Sequence, residues 1–260
     1  MNKKTIANQH AQAYIREVLA EQLIQQGFVS RRGQDIHWYR VVNGEILQAV
    51  LFNTQWAALP LLLTISYSCH PLFITPEFPK SVHVSSLLRS IEAFNPGRYI
   101  FKQHNNMVYA PDIAVTCPND KYKGADILAD TLSMLNSVSS IEQCYMIHKE
   151  HYIKVAEICN LPPEELFWNI SPDFMDEVVY LNDVEMYPYC ERRIISELNR
   201  LGKAQEIRKL HNVEKAELES LEHLKNAVIE GKRDAHLAIL AERRLESIRK
   251  LKRQTGIELI

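Results

Sequence analysis

The apolar residues of this 260-residue chain change their spacing once, and that change constrains the fold more than any single motif does. Before about Gly124, runs of strand-forming residues are separated by turn residues. From about Gly124 onward no convincing strand occurs, and apolar residues recur at three and four positions. A period of two marks a strand with one buried face, whereas a period near 3.6 marks a helix with an apolar stripe. The order predicts an α+β fold, an antiparallel sheet packed on helices, followed by an all-α helical region. We place the α+β domain at 1–155 and the helical region at 156–260, each long enough to bury a core.

Residues 4–26 read as an opening helix, with Ile6, Ala13, Tyr14, Val18, Leu19 and Leu23 near helical spacing and Gly27 where a helix stops. Two strand-like runs, 36–42 and 45–52, flank Asn43-Gly44. That dipeptide predicts a hairpin, since both turn positions need positive φ. Alternation over 61–68 predicts a third strand. Runs at 98–103 and 107–109 around His104-Asn105-Asn106 predict another hairpin, and a short helix is expected near 85–94. Further on, 125–135 is helical, and Ser139-x-x-Glu142 has the capping-box pattern for the next helix. Leu161-Pro162-Pro163 is a break with a helix start behind it. Ile194, Leu198, Leu201 and Ile207 mark another helix. Two apolar runs, Leu218/Leu221/Leu224/Val228 and Leu237/Leu240/Leu245/Ile248/Leu251, lie either side of Gly231. They predict an antiparallel pair or one kinked helix.

The segments Leu23-Ile24-Gln25-Gln26-Gly27-Phe28, Trp38-Tyr39-Arg40 and Leu47-Gln48-Ala49-Val50-Leu51-Phe52-Asn53 resemble a bacterial family of uncharacterised α+β domains. In that family a Gly-Phe ends the first helix, a strand carrying an aromatic-x-Arg motif follows, and a glutamine-containing strand pairs with it. The resemblance covers about residues 1–155 and implies a sheet against helices. It implies no activity.

Several function classes are excluded in their standard form. No two of the eight glycines lie closer than six residues. A dinucleotide fingerprint, a P-loop and a nucleophile elbow each need a closer pair, because the backbone must turn tightly around a phosphate or an exposed serine. Glycine and proline, 8 and 11 residues, make about 7% of the chain against a usual ~12%, which agrees with a helix-rich fold. The five cysteines are odd in number and widely spaced, reading as free thiols in a reducing cytosol. No secretory signal follows Met1, and the apolar stretch at 56–63 is too short for a bilayer. The expected location is cytoplasmic, with no membrane contact.

Charge is distributed in blocks: +4 over 1–111, −9 over 112–202 and +3 over 203–260. Between Lys154 and Arg192 there is no lysine or arginine, while Glu164, Glu165, Asp173, Asp176, Glu177, Asp183, Glu185 and Glu191 crowd in beside Phe167, Trp168, Phe174, Tyr180, Tyr187 and Tyr189. Aromatic anchors with carboxylates around them suit a basic protein partner, and Trp168, Asp173, Asp176, Glu177 and Tyr180 are the expected contact residues. An antitoxin or immunity protein facing a basic nuclease has this pattern. So does a helical domain with a solvated acidic face and aromatics in its core. The alternative is nucleic-acid contact through Arg243, Arg244, Arg249, Lys250 and Arg253, although Glu242 and Glu246 interleave them. Cys144, His148 and His151 share a helix face but spread over ~10 Å of axis, too far for one ion. Cys69-His70 are adjacent, so on a strand they face opposite ways. No catalytic residue, metal site or cofactor is implied. The reading is a non-catalytic protein-binding module that engages a partner or a second copy, with an enzyme of unspecified chemistry as the remaining alternative.

Overall fold

The computed structural model describes residues 12–13, 15–31, 34–55, 62–74, 103–104, 107–108, 112–114, 121–168 and 170–256. The chain divides into two compact units. One comprises Met1–His70, Phe78–Cys144 and Ile248–Ile260, the other Pro71–Glu77 and Tyr145–Ser247. The α+β-then-helical order of the sequence holds. However, contacts divide the chain at 144/145 rather than near 155, and return the last residues to the first unit.

In the first unit a π-helical turn, Ile15–Leu19, runs into α1 (Ala20–Gln25). The helix stops at Gly27, whose φ is +78°. Gly27 N–H bonds Ile24 C=O at 2.9 Å and Phe28 N–H bonds Leu23 C=O at 2.9 Å. This pairing is the Schellman stop, and it explains the Gly-Phe of the sequence. Glycine takes the left-handed position, and Phe28 folds back into the core with Leu23. Five strands follow in the sheet order β1 (Val29–Arg31), β2 (Gln34–Val42), β3 (Ile46–Gln55), β4 (Leu62–Pro71) and β7 (Asp112–Ala114). The β1–β2, β2–β3 and β4–β7 pairs are antiparallel. Asn43 (φ 52°) and Gly44 (φ 66°) turn β2 into β3, as the dipeptide predicts. The short strands β5 (Gln103–His104) and β6 (Met107–Val108) pair by themselves.

Helix α2 (Lys121–Asn136) lays Leu128, Leu132 and Leu135 against Ile15, Leu19, Leu23, Trp38, Val50 and Phe52 to close this core. The next helix, α3 (Ile141–Ile158), begins one residue later than the Ser139/Glu142 pattern implies. Ser140 Oγ accepts from Gln143 N–H at 3.2 Å, and Gln143 Oε1 accepts from Ser139 and Ser140 N–H at 2.7 and 3.2 Å. Both Ser-x-x-Glu and Ser-x-x-Gln are capping boxes, and the overlap of the two allowed the shift. The expected helix at 85–94, residues 4–11 of the opening helix and residues 98–102 of the second hairpin lie outside the described residues.

In the second unit Pro163–Glu165 is only one 3-10 turn. The α-helix expected behind Pro162-Pro163 starts at Pro172, where Ser171 caps α4 (Pro172–Leu181) by accepting from Phe174 N–H at 3.2 Å. Then come α5 (Tyr187–Ile207), α6 (Asn212–Val228) and α7 (Arg233–Thr255). Gly231, at φ +71°, separates the last two, so the terminal runs are two helices and not one kinked helix. Phe174, Met175, Val178 and Val179 of α4 pack with Cys190, Ile194 and Leu201 of α5 and with Leu221 and Leu224 of α6. Two periodic residues are misassigned by the sequence pattern. Ile207 is 84% exposed and Leu245 53%. Six residues from Leu201 and five from Leu240 place them some 120° and 140° around their helices from those core positions.

Candidate functional site

Six consecutive residues of α4, Phe174 to Val179, are buried, and two of them are Asp176 and Glu177, each 1% exposed. A helix enclosed on all sides should be apolar throughout, since an unpaired carboxylate in the interior loses several kcal/mol of hydration. Each of these carboxylates has found cationic or imidazole partners. Asp176 Oδ1 lies 2.8 Å from Nε2 of His236, and its Oδ2 accepts from Arg243 Nη1 at 2.7 Å. Glu177 presents both oxygens to His148 Nδ1, at 2.7 and 2.9 Å. Being neighbours on a helix, the two side chains point about 100° apart, so Asp176 meets α7 while Glu177 meets α3.

The proton positions follow from what is left unpaired. His236 Nδ1 is buried and has no hydrogen-bond partner among the described residues. The tautomer protonated at Nε2 gives Asp176 its hydrogen bond and leaves Nδ1 a lone pair, whereas a second N–H would be an unpaired buried donor. Arg243 then supplies the charge that Asp176 requires. Glu177 has no such arginine. Burial raises its pKa above the ordinary carboxylate range, while His148 pulls it back. Asp183, just past α4, differs again. Burial alone would raise it, but hydrogen bonds from Lys149 Nζ (2.7 Å) and Tyr145 Oη (2.5 Å) hold it below its ordinary range. Arg233 completes the frame by donating to the Val179 and Tyr180 carbonyls at 2.8 and 2.7 Å.

This network can hold protons and clamp three helices within the second unit. Asp176, Glu177 and His236 are too enclosed to meet a substrate. His148 and Arg243, with side chains 13% and 24% exposed, are the partners of the two carboxylates that reach the surface.

The structure separates the five expected contact residues. Trp168 is 52% exposed and Asp173 is exposed, while Tyr180 is half-buried with its ring 4.8 Å from Phe73. Asp176 and Glu177 are corrected: they belong to the interior and offer no charge to a partner. Of the basic set, Arg243 is likewise turned inward to Asp176. Arg249 and Arg253 are exposed, and Arg244 and Lys250 are half-buried. His148 pairs with Glu177, and Cys144 is buried in the first unit. Among the described residues no group of three His, Cys, Asp or Glu could hold a metal ion.

Sequence reasoning missed His236 and Arg233. One local signal was available: Asp176-Glu177 sits between Phe174-Met175 and Val178-Val179, a charged pair inside an apolar run. The partners of Asp176 lie 60 and 67 residues away and that of Glu177 lies 29 away, none marked by its local sequence.

No protein-family model matches the chain, and neither does any curated protein or solved structure. Among the described residues no helix is long and apolar enough to cross a membrane.

Proposed function

We propose that this chain is a non-catalytic protein-binding module of the bacterial cytoplasm, in keeping with its resemblance to an uncharacterised bacterial domain family. Its contact surface is the acidic, aromatic segment leading into α4. One observation carries the reading. Phe167 is buried, with its ring 4.9 Å from that of Tyr189, while the adjacent Trp168 leaves about half its surface in water. Glu164 and Glu165, just before it in the chain, are exposed and form no ion pair with any described residue. An anchored segment with one large aromatic outward and unneutralised carboxylates beside it suits a basic protein surface.

The test uses the full chain and a Trp168→Ala/Glu164→Lys/Glu165→Lys variant as parallel baits in bacterial cytosol, read by quantitative mass spectrometry. A partner recovered several-fold less by a variant that retains wild-type circular dichroism supports the reading. Equal recovery by both baits overturns it. The nucleic-acid alternative keeps Arg244, Arg249, Lys250 and Arg253 once Arg243 is committed to Asp176, with Arg249 and Arg253 the exposed pair. Binding through phosphates falls steeply between low and moderate salt, whereas an interface centred on Trp168 weakens less.

A further inference from the structure

We propose that Cys69 and Cys144 are a modification site, forming a reversible disulfide within the first unit when a two-electron oxidant such as hydrogen peroxide is present. Cys69 lies on β4 and Cys144 in the first turn of α3, and their sulfurs are 3.9 Å apart. A disulfide needs about 2.05 Å, so the two atoms must close by some 2 Å. Cys144 Sγ also donates to the Cys69 carbonyl at 3.2 Å, which holds the second sulfur over the backbone of the first.

The two thiols are unequal in the way that a sensing pair requires. Cys69 is half-buried and open to a small oxidant, while Cys144 is 1% exposed. Peroxide takes the Cys69 sulfur to the sulfenic acid, releasing one water. Cys144 Sγ then attacks that sulfur, the S–O bond breaks, and a second water leaves with the Cys144 proton. Two thiols and one peroxide thus become one disulfide and two waters, and a dithiol reductant reverses it. The other described cysteines differ. Cys159 is exposed, and burial pushes the Cys190 thiol up to about 12.

The experiment treats the full-length protein with stoichiometric hydrogen peroxide, blocks free thiols by alkylation and digests with trypsin. Cleavage places Cys69 in 41–80, Cys144 in 124–149, and both Cys159 and Cys190 in 155–192. The expected product is 41–80 joined to 124–149 with the loss of two hydrogens, dominant over any other pairing and abolished by dithiothreitol. In Cys144→Ser, dimedone should trap several-fold more sulfenic acid at Cys69 than in the wild type. The proposal is overturned if both peptides stay separately alkylated while 155–192 is oxidised, if a different pair dominates, or if dimedone labelling is equal in the two proteins. The wild-type digest decides alone should Cys144→Ser fail to fold.

Discussion

Among the described residues of the first unit, the polar side chain enclosed completely is an amide. Gln48 is fully buried, donates to the Leu135 and Val138 carbonyls at 2.7 and 3.0 Å, and accepts from Arg40 Nε at 2.7 Å. Arg40 extends the knot to Gln26 C=O and to Asn136 Oδ1, at 2.8 and 2.6 Å, so sheet, α1 and α2 meet at one guanidinium. In the second unit the same task, tying helices together from inside, falls to Asp176 and Glu177. An amide needs only hydrogen-bond partners, whereas a carboxylate needs a cation or a proton as well. The first clamp is therefore insensitive to moderate acid or base, and the second depends on charge balance.

The widest gap between the clamps should appear on removing one member. Asp176→Ala leaves the buried His236 and the part-buried Arg243 without their carboxylate and should lower unfolding free energy by about 3–5 kcal/mol in urea titrations. Replacing all three together, Asp176→Leu/His236→Leu/Arg243→Met, should recover most of that loss, because no charge is then left unpaired. A triple variant as unstable as the single would break the account of α4. Gln48→Leu removes the donor from the Leu135 and Val138 carbonyls and should cost about 1–3 kcal/mol. Gly27→Ala tests the helix stop of the same unit. An added Cβ meets nothing within 4 Å, so only the backbone at φ +78° is strained, at about 1–2 kcal/mol in thermal unfolding.

The smallest effect is the slope with pH. Because the folded-state pKa of Glu177 is raised, the native protein holds that proton more tightly than the unfolded chain. This contribution is fully present below about pH 4.5 and is lost as pH rises through the folded value. Wild type should lose ground to Glu177→Gln as pH rises. His37, on β2, has a pKa lowered by burial and by Arg31, so its contribution is present above pH 6.5 and is lost on acidification. Wild type should lose ground to His37→Gln as pH falls. Parallel slopes for the two variants in denaturant titrations would remove the contrast between the units.

Legibility followed the range of the interaction. Asn43-Gly44 and Gly27-Phe28 could be read because their meaning lies within four residues and depends on φ alone. The motif residues Arg40 and Gln48 were visible as a pattern, and β2–β3 register makes them cross-strand partners, but their carbonyl acceptors were not. Strand β1 escaped notice because it is three residues long and gains its identity only by pairing, Val29 to Tyr39. Asp176 and Glu177 were misread for the same reason as Ile207 and Leu245: composition tells that a charge or an apolar side chain is present, and only the neighbouring helices decide which face is covered. Trp168 and Phe167 show the limit most plainly. Two adjacent aromatics of similar character take opposite sides of the surface.

Helix α7 passes from one unit to the other, with residues up to Ser247 in the second and Ile248 onward in the first. During vectorial synthesis the first unit begins earlier but needs these late residues to be complete. The second unit has all of its members once Ser247 has emerged. The unit that starts first thus finishes last, complete only when the closing turns of α7 have emerged.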